Sequence, residues 1–261
     1  MELQNKVVVI TGAASGIGKA TAEAMARLGA QVAVVDRNAE GAKEVASAIG
    51  GLGVACDVGD ESSVNDCIET VVKELGPVDV LFNNAGVATG GDPLSTPIDV
   101  WHSQWDINVM AHVYAIRAVL PGMLERESGY IIHTASMAGI LTTHGNLTYA
   151  ATKHAVVGMA EWMSITYHDK GVHTSLLAPL GVRTPMLGDV NTDSSASSAL
   201  GPVKEPEEVA QQVIDAIAEE RFLILTDPLA QTWMDRKNGD IERWLSGMRR
   251  LQARMEDERQ T

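Results

Sequence analysis

Short apolar runs alternate with longer stretches of helical periodicity along most of the chain, and this alternation constrains the fold more than any other feature. Residues 6–11 (KVVVIT), 31–36 (QVAVVD), 53–56, 78–82, 130–134 and 173–178 read as strands. Their high Val, Ile and Leu content is what strands covered on both faces require. Residues 17–28, 39–49, 61–75 and 149–169 read as helices, and Gly29 and Gly76-Pro77 stop the first and third. A further helix falls between the fourth and fifth strands, and a helix over 206–219 precedes a last short strand over 222–225. Such regular βα alternation predicts an α/β fold, a doubly wound parallel sheet with right-handed crossovers. No repeat or linker divides the 261 residues, so one domain over 1–261 is expected. A segment rich in Ser, Asp and Asn is expected to be a lid at about 186–203. The tail, about 228–258, sets Trp233, Ile241, Trp244, Leu245, Met248, Leu251 and Met255 at mostly helical spacing, which predicts a helical extension with one packing face.

Charge and cysteine usage narrow the partners. A net charge of −14 argues against nucleic acid and anionic membrane, both of which need basic patches. No uncharged apolar run reaches transmembrane length, and MELQNKVVVITG is too briefly apolar for a signal peptide, so a cytoplasmic location is expected. Cys56 and Cys67 form no CxxC pattern and no histidine cluster has zinc-ligand spacing, so no metal is expected.

The turn between the first strand and first helix is TGAASGIG, Thr11 to Gly18. Gly12 permits the turn, Gly16 lets backbone approach a pyrophosphate, and Gly18 allows helix to pack tightly on strand. The helix N-terminus at Ser15, Gly16 and Ile17 supplies free N–H groups and the positive end of a dipole. Asp36, eighteen residues beyond Gly18, ends the second strand. A carboxylate there accepts both adenosine ribose hydroxyls and repels a 2′-phosphate, which favours NAD over NADP. The guanidinium of Arg37 next to it is the one feature that would suit a 2′-phosphate, while the neutral Ser15 gives such a phosphate no help. Asp57 and Val58 can take the adenine amino group and ring face, or form a plain turn. Asn84, Ala85 and Gly86 can let a dinucleotide cross the sheet edge, or again simply turn the chain.

The stretch from Ser136 to Lys153 carries a second kind of chemistry. Tyr149 and Lys153 stand at i and i+4, one turn apart on one helix face. A cationic lysine favours the phenolate and lowers a tyrosine pKa, so the pair can exchange a proton with an alcohol or carbonyl oxygen that a serine holds in place.

These motifs, with NNAG, Asn108 and the segment from Pro179 to Thr184, have the order and spacing of the short-chain dehydrogenase/reductase family, and the resemblance covers roughly residues 5–225. It implies a Rossmann sheet in strand order 3-2-1-4-5-6-7 and hydride transfer at a secondary alcohol or ketone. It implies Tyr149 as acid/base, Lys153 on the nicotinamide ribose, Ser136 on the substrate oxygen and Asn108 steadying a water in a proton relay. Pro179, Val182 and Thr184 would meet the carboxamide and phosphate. It also implies a homotetramer or homodimer paired through helices around 106–125 and 149–169. Two departures stand out. Leu180 occupies the place of the family's usual glycine, and a helical tail replaces the short Gly-rich end of many family reductases.

The expected activity is NAD-dependent interconversion of a small-molecule alcohol and ketone, apolar or aromatic. Met137, Leu180, Met186 and Leu187 are candidate pocket walls, and His144 lines the pocket or lies behind it. A hydroxysteroid dehydrogenase and a 3-oxoacyl thioester reductase are the alternatives within the class. A non-catalytic dinucleotide-binding protein would be expected to lack Tyr149 or Lys153, and both are present.

Overall fold

The computed structural model describes residues 1–188 and 201–260, so most of the lid expected at 186–203 lies outside the described residues. The strands are β1 (Val7–Thr11), β2 (Gln31–Asp36), β3 (Leu52–Ala55), β4 (Val80–Asn83), β5 (Gly129–Thr134), β6 (Val172–Ala178) and β7 (Leu223–Leu225). They form one parallel sheet in the order β3-β2-β1-β4-β5-β6-β7. The order reverses between β1 and β4, and that switch point opens a crevice at the C-terminal strand ends.

Period-two alternation in β1 explains why helices cover both faces. Val8 and Ile10 face the layer holding Ala22 and Met25 of α1 (Gly16–Arg27), Val45 of α2 (Ala39–Ile49) and Val213 of the helix over 206–219. Val7 and Val9 face the layer holding Ile68 and Val71 of α3 (Glu61–Leu75) and, on a later helix, Val119 and Met123. Each such buried aliphatic side chain stabilises by about 1.5–3 kcal/mol.

That later helix belongs to a rod the sequence resolved poorly. It comprises α4 (Ile98–Trp105), a π-turn (Asp106–Met110) and α5 (Ala111–Glu125). A single-turn π segment is unforeseen and frequent at functional sites. The most apolar 18-residue window of the rod has a mean hydropathy of 1.3, and the rod is the one described segment long and apolar enough, by length and composition, to cross a bilayer. Asp106 and Arg117 keep it from being an uncharged run. Its apolar character is accounted for by Ala115, Ile116, Val119 and Met123, which are buried against the sheet.

Chain order continues through α6 (Ala138–Leu141), α7 (Leu147–Tyr167), α8 (Pro206–Glu219), α9 (Pro228–Gly239) and α10 (Ile241–Gln260). Helix α7 starts two residues before the expected Tyr149 because Asn146 caps it, its Oδ1 accepting from Tyr149 N at 2.9 Å. Asn146→Ala is expected to cost about 1 kcal/mol by urea denaturation, the usual worth of an N-cap. The tail is helical as expected, but its apolar stripe divides. Trp233, Met234 and Trp244 pack against Met137, Leu141, Ala178 and Leu180, whereas Ile241 and Leu245 face outward.

Candidate active site

The C-terminal strand ends border a cleft of roughly 800 Å³. Beyond β1 toward β3 it is lined by Gly12, Ser15, Gly16, Ile17, Asp36, Arg37, Asp57 and Val58, and at the switch point by Asn84, Ala85 and Gly86. Toward β6 it is lined by Ser136, Met137, Tyr149, Lys153, Pro179, Leu180, Val182, Thr184, Met186 and Leu187. Residues from well-separated parts of the chain thus meet on one wall, as the sequence motifs require. Among the described residues, no group of three His, Cys, Asp or Glu side chains could hold a metal ion.

Three predicted residues lie off the wall. Gly18 packs beneath it: a Cβ there would overlap the Gly12 carbonyl oxygen and lie 2.6 Å from Asn84 Nδ2. Asn108 lies behind the wall. Its Nδ2 donates to Val87 O at 2.9 Å and to Thr152 Oγ1 at 3.1 Å, and its Oδ1 accepts from Val87 N at 2.9 Å. Both amide hydrogens are therefore in use, and the side chain ties the β4–α4 loop to α7. His144 is not on the pocket wall; its Nδ1 lies 2.8 Å from Gln252 Oε1 of α10, because the tail folds back over this loop.

The β1–α1 turn is built to approach a ligand. Gly12 (φ +65°) has no room for a side chain, since a Cβ would lie 2.9 Å from Ala85 Cα. Ser15 starts α1 without a side-chain cap, whereas Asn38 caps α2 and Asp60 caps α3. The first N–H groups of α1 are thus left for an anion. Asp36 is held in place, its Oδ2 accepting from Ala14 N at 3.0 Å and its Oδ1 from Asn38 N at 2.9 Å. Asp57 serves its turn as well, its Oδ1 accepting from Gly59 N at 3.0 Å. A glycine cradle, an uncapped helix start and a fixed carboxylate on one wall fit the pyrophosphate and ribose of a dinucleotide.

A brace that sequence reasoning missed joins β1 to β4. Thr11 Oγ1 accepts from the N–H groups of Asn84 and Ala85, each at 3.0 Å, and Asn84 Nδ2 donates to Thr11 O at 2.9 Å. No local pattern marks this threonine, since its partners lie more than seventy residues away.

At the other end, Lys153 is buried and donates to Thr134 O at 2.7 Å, with Nζ 5.8 Å from the Tyr149 ring centroid. The Ser136 hydroxyl hydrogen-bonds the half-buried Tyr149 phenol, which lowers its pKa, but burial outweighs this and pushes the phenol above its ordinary value. The expected lowering by Lys153 is therefore not found in the chain alone. Burial also brings the Lys153 ammonium down to about 8, and its charge is turned to a backbone carbonyl. Asn108 Oδ1 and Lys153 Nζ flank Gly86, where a Cβ would meet them at 3.3 and 3.4 Å.

Behind this end lies an unforeseen pair. His112 on α5 and His133 on β5 are buried, their Nδ1 atoms 2.9 Å apart and their rings stacked 5.2 Å between centroids. Burial holds His133 at about 3; burial and then the charges of His133 and Lys153 hold His112 well below the usual imidazole range.

A family model described as short chain dehydrogenase matches residues 6–195. The chain is 34% identical to 1-deoxy-11-beta-hydroxypentalenate dehydrogenase of Streptomyces avermitilis, over 94% of this chain and 93% of that one. It is 36% identical to D-threitol dehydrogenase of Mycolicibacterium smegmatis, over 81% and 85% of the two chains. Its fold superposes with a TM-score of 0.84, at 30% identity, on a short chain dehydrogenase/reductase from Burkholderia phymatum solved in complex with NAD, covering 93% of this chain and 96% of that one. Taken with the cleft and the Ser136, Tyr149 and Lys153 constellation, these matches show that the chain belongs to the short chain dehydrogenase family and is an oxidoreductase.

Proposed function

We propose that the protein oxidises a secondary alcohol with NAD and reduces the corresponding ketone in the reverse direction, acting on apolar or ring-bearing substrates. The observation that carries this reading is that Ser136, Tyr149 and Lys153 share one cleft wall with Asp36 and the uncapped start of α1. Ser136 Oγ and Tyr149 Oη form a two-point seat for the substrate oxygen. Tyr149 takes the hydroxyl proton as the alcohol is oxidised and returns it to the ketone oxygen on reduction. Lys153, one turn along α7, would hold the ribose hydroxyls of a bound dinucleotide, and its positive charge would favour the phenolate. Asn108 keeps the Val87 loop against α7, which fixes the floor of the site. When bound, the cofactor's nicotinamide supplies the hydride acceptor.

Among the described residues lining the reaction end, Lys153 alone is charged. Arg183, which could have held an anionic substrate, is instead paired with Glu205 at 2.7 Å and 70% exposed. This wall favours apolar alcohols over polyols and carboxylates. Incubation with NAD and a panel of secondary alcohols, followed by absorbance of the reduced nicotinamide, tests the activity; cofactor binding with no turnover on any alcohol would sink it.

The preference for NAD rests on Asp36, whose carboxylate faces the cleft while held by two backbone N–H groups. Asp36→Ala is expected to erode the NAD over NADP ratio in kcat/KM by roughly 10–100-fold, the worth of a charged hydrogen bond. An unchanged ratio would refute this role.

We propose further that the chain assembles as a homotetramer or homodimer through the α4–α5 rod and α7. Trp105, Leu147, Trp162 and Ile165 are 41%, 44%, 58% and 85% exposed on these elements, a set of large apolar side chains that a partner would cover. A monomer by light scattering would refute it.

A further inference from the structure

We propose that Leu180 and Trp233 form a joint wall that selects ring-bearing apolar alcohols, and that this wall is what the helical C-terminal extension contributes to the reaction. The inference rests on the alcohol dehydrogenase reading above. The two departures from the family pattern meet in space. Leu180 stands where a glycine is usual, and Trp233 belongs to the extension, yet both line the cleft and both pack into one apolar cluster with Met137 and Leu141. Their tips converge over Gly201, where a Cβ would lie 3.0 Å from Leu180 Cδ1 and 3.5 Å from Trp233 Cη2. Gly201, at φ +66°, thus leaves the space in which leucine and indole come together.

The wall is held on rigid elements. Leu180 N donates to Thr226 Oγ1 at 3.1 Å, at the end of β7. Asp227 caps α9, accepting from Leu229 N at 2.9 Å, and is also 3.7 Å from the Lys204 ammonium. Further along α9, Lys237 Nζ donates to Ile140 O, tying the helix to α6. Ala230 and Trp244 fill the space behind. A side chain fixed this way keeps its shape when substrate arrives, so it discriminates by fit. The indole edge and the leucine methyls offer a broad apolar surface and no charge. A cyclic hydrocarbon body attached to the reacting carbon would cover that surface, and a small acyclic alcohol would not reach it.

The test compares wild type, Trp233→Ala, Leu180→Gly and the double variant on cyclohexanol and isopropanol. Each single variant is expected to lower kcat/KM for cyclohexanol by roughly 10–100-fold, mainly through KM, as expected for lost apolar pocket contacts. Isopropanol kcat/KM should fall several-fold less than that for cyclohexanol, and NADH affinity by fluorescence titration should stay near wild type, which shows that the variants are folded; some loss of melting temperature is expected because both side chains pack in one apolar cluster. The double variant should lose little more than the worse single, because the two residues act as one wall. Equal losses for both alcohols, or fully additive losses, would overturn the proposal. Calorimetric titration of cyclohexanol into the NADH complex separates it from the functional reading. Binding that depends on Trp233 without turnover would keep the wall and sink the dehydrogenase reading; turnover of cyclohexanol indifferent to both substitutions would do the reverse.

Discussion

Tyr149→Phe is expected to lower kcat by about 10²–10⁴-fold, the range a positioned general acid/base supplies, while cofactor affinity and melting temperature stay near wild type. The substitution removes one hydroxyl from a half-buried ring and leaves the ring's packing in place. Its hydrogen-bond partner, Ser136, keeps a second contact, since Ser136 Oγ also accepts from Ala138 N at 3.1 Å. The loss should therefore fall on the proton transfer and not on folding. Because burial raises the Tyr149 pKa in the chain alone, alcohol oxidation should accelerate with rising pH until the phenol is ionised in the assembled site. Rapid-mixing kinetics and nicotinamide fluorescence on the same preparation measure the two halves of this expectation. A Phe variant that retains more than about a tenth of wild-type kcat would remove Tyr149 from the mechanism.

Acid is expected to unfold the protein steeply, through His112 and His133. Both imidazoles are neutral in the fold, with His133 held at about 3 against an ordinary 6.5 and His112 also well below it. The unfolded chain binds protons at these two sites as pH drops below 6.5, and the native chain does not. Their contribution is thus intact above 6.5 and is lost as pH falls from there toward 3. A site held at about 3 contributes a slope of about 1.4 kcal/mol per pH unit, so His133 alone removes on the order of 3 kcal/mol by about pH 4.5, and His112 adds in the same direction. That is a sizeable share of the whole stability of many domains. Urea titrations across this range, with a His112→Gln/His133→Gln variant beside wild type, measure the slope. The variant should be flatter; parallel curves would show that acid sensitivity lies elsewhere.

Much of the architecture was legible because its signals are local. A buried parallel strand announces itself in VVVIT or QVAVVD, and the phosphate turn and the Tyr149–Lys153 spacing each fit within one or two helical turns. What escaped was pairing across long separations. Thr11 bracing Asn84, His112 stacking on His133, and Leu180 meeting Trp233 depend on the sheet bringing distant segments together. The two readings of His144 stayed open for the same reason: nearness to Tyr149 in sequence suggested the pocket, and only the return of α10 places it against Gln252. Burial, absent from a sequence, outweighs the Ser136 hydrogen bond at Tyr149 and raises its pKa.

The π-turn at Asp106–Met110 bears on how related chains should be aligned. Its extra residue leaves α4 and α5 out of phase by one position, about 100° of helical rotation. The turn holds Asn108 toward Val87 and Thr152 while α5 keeps Ala115 and Val119 on the sheet. Deleting any one residue between 106 and 110 would restore a regular helix and swing one of these two faces off its partner. A gap placed there in an alignment would signal a different site floor, whatever the identity on either side.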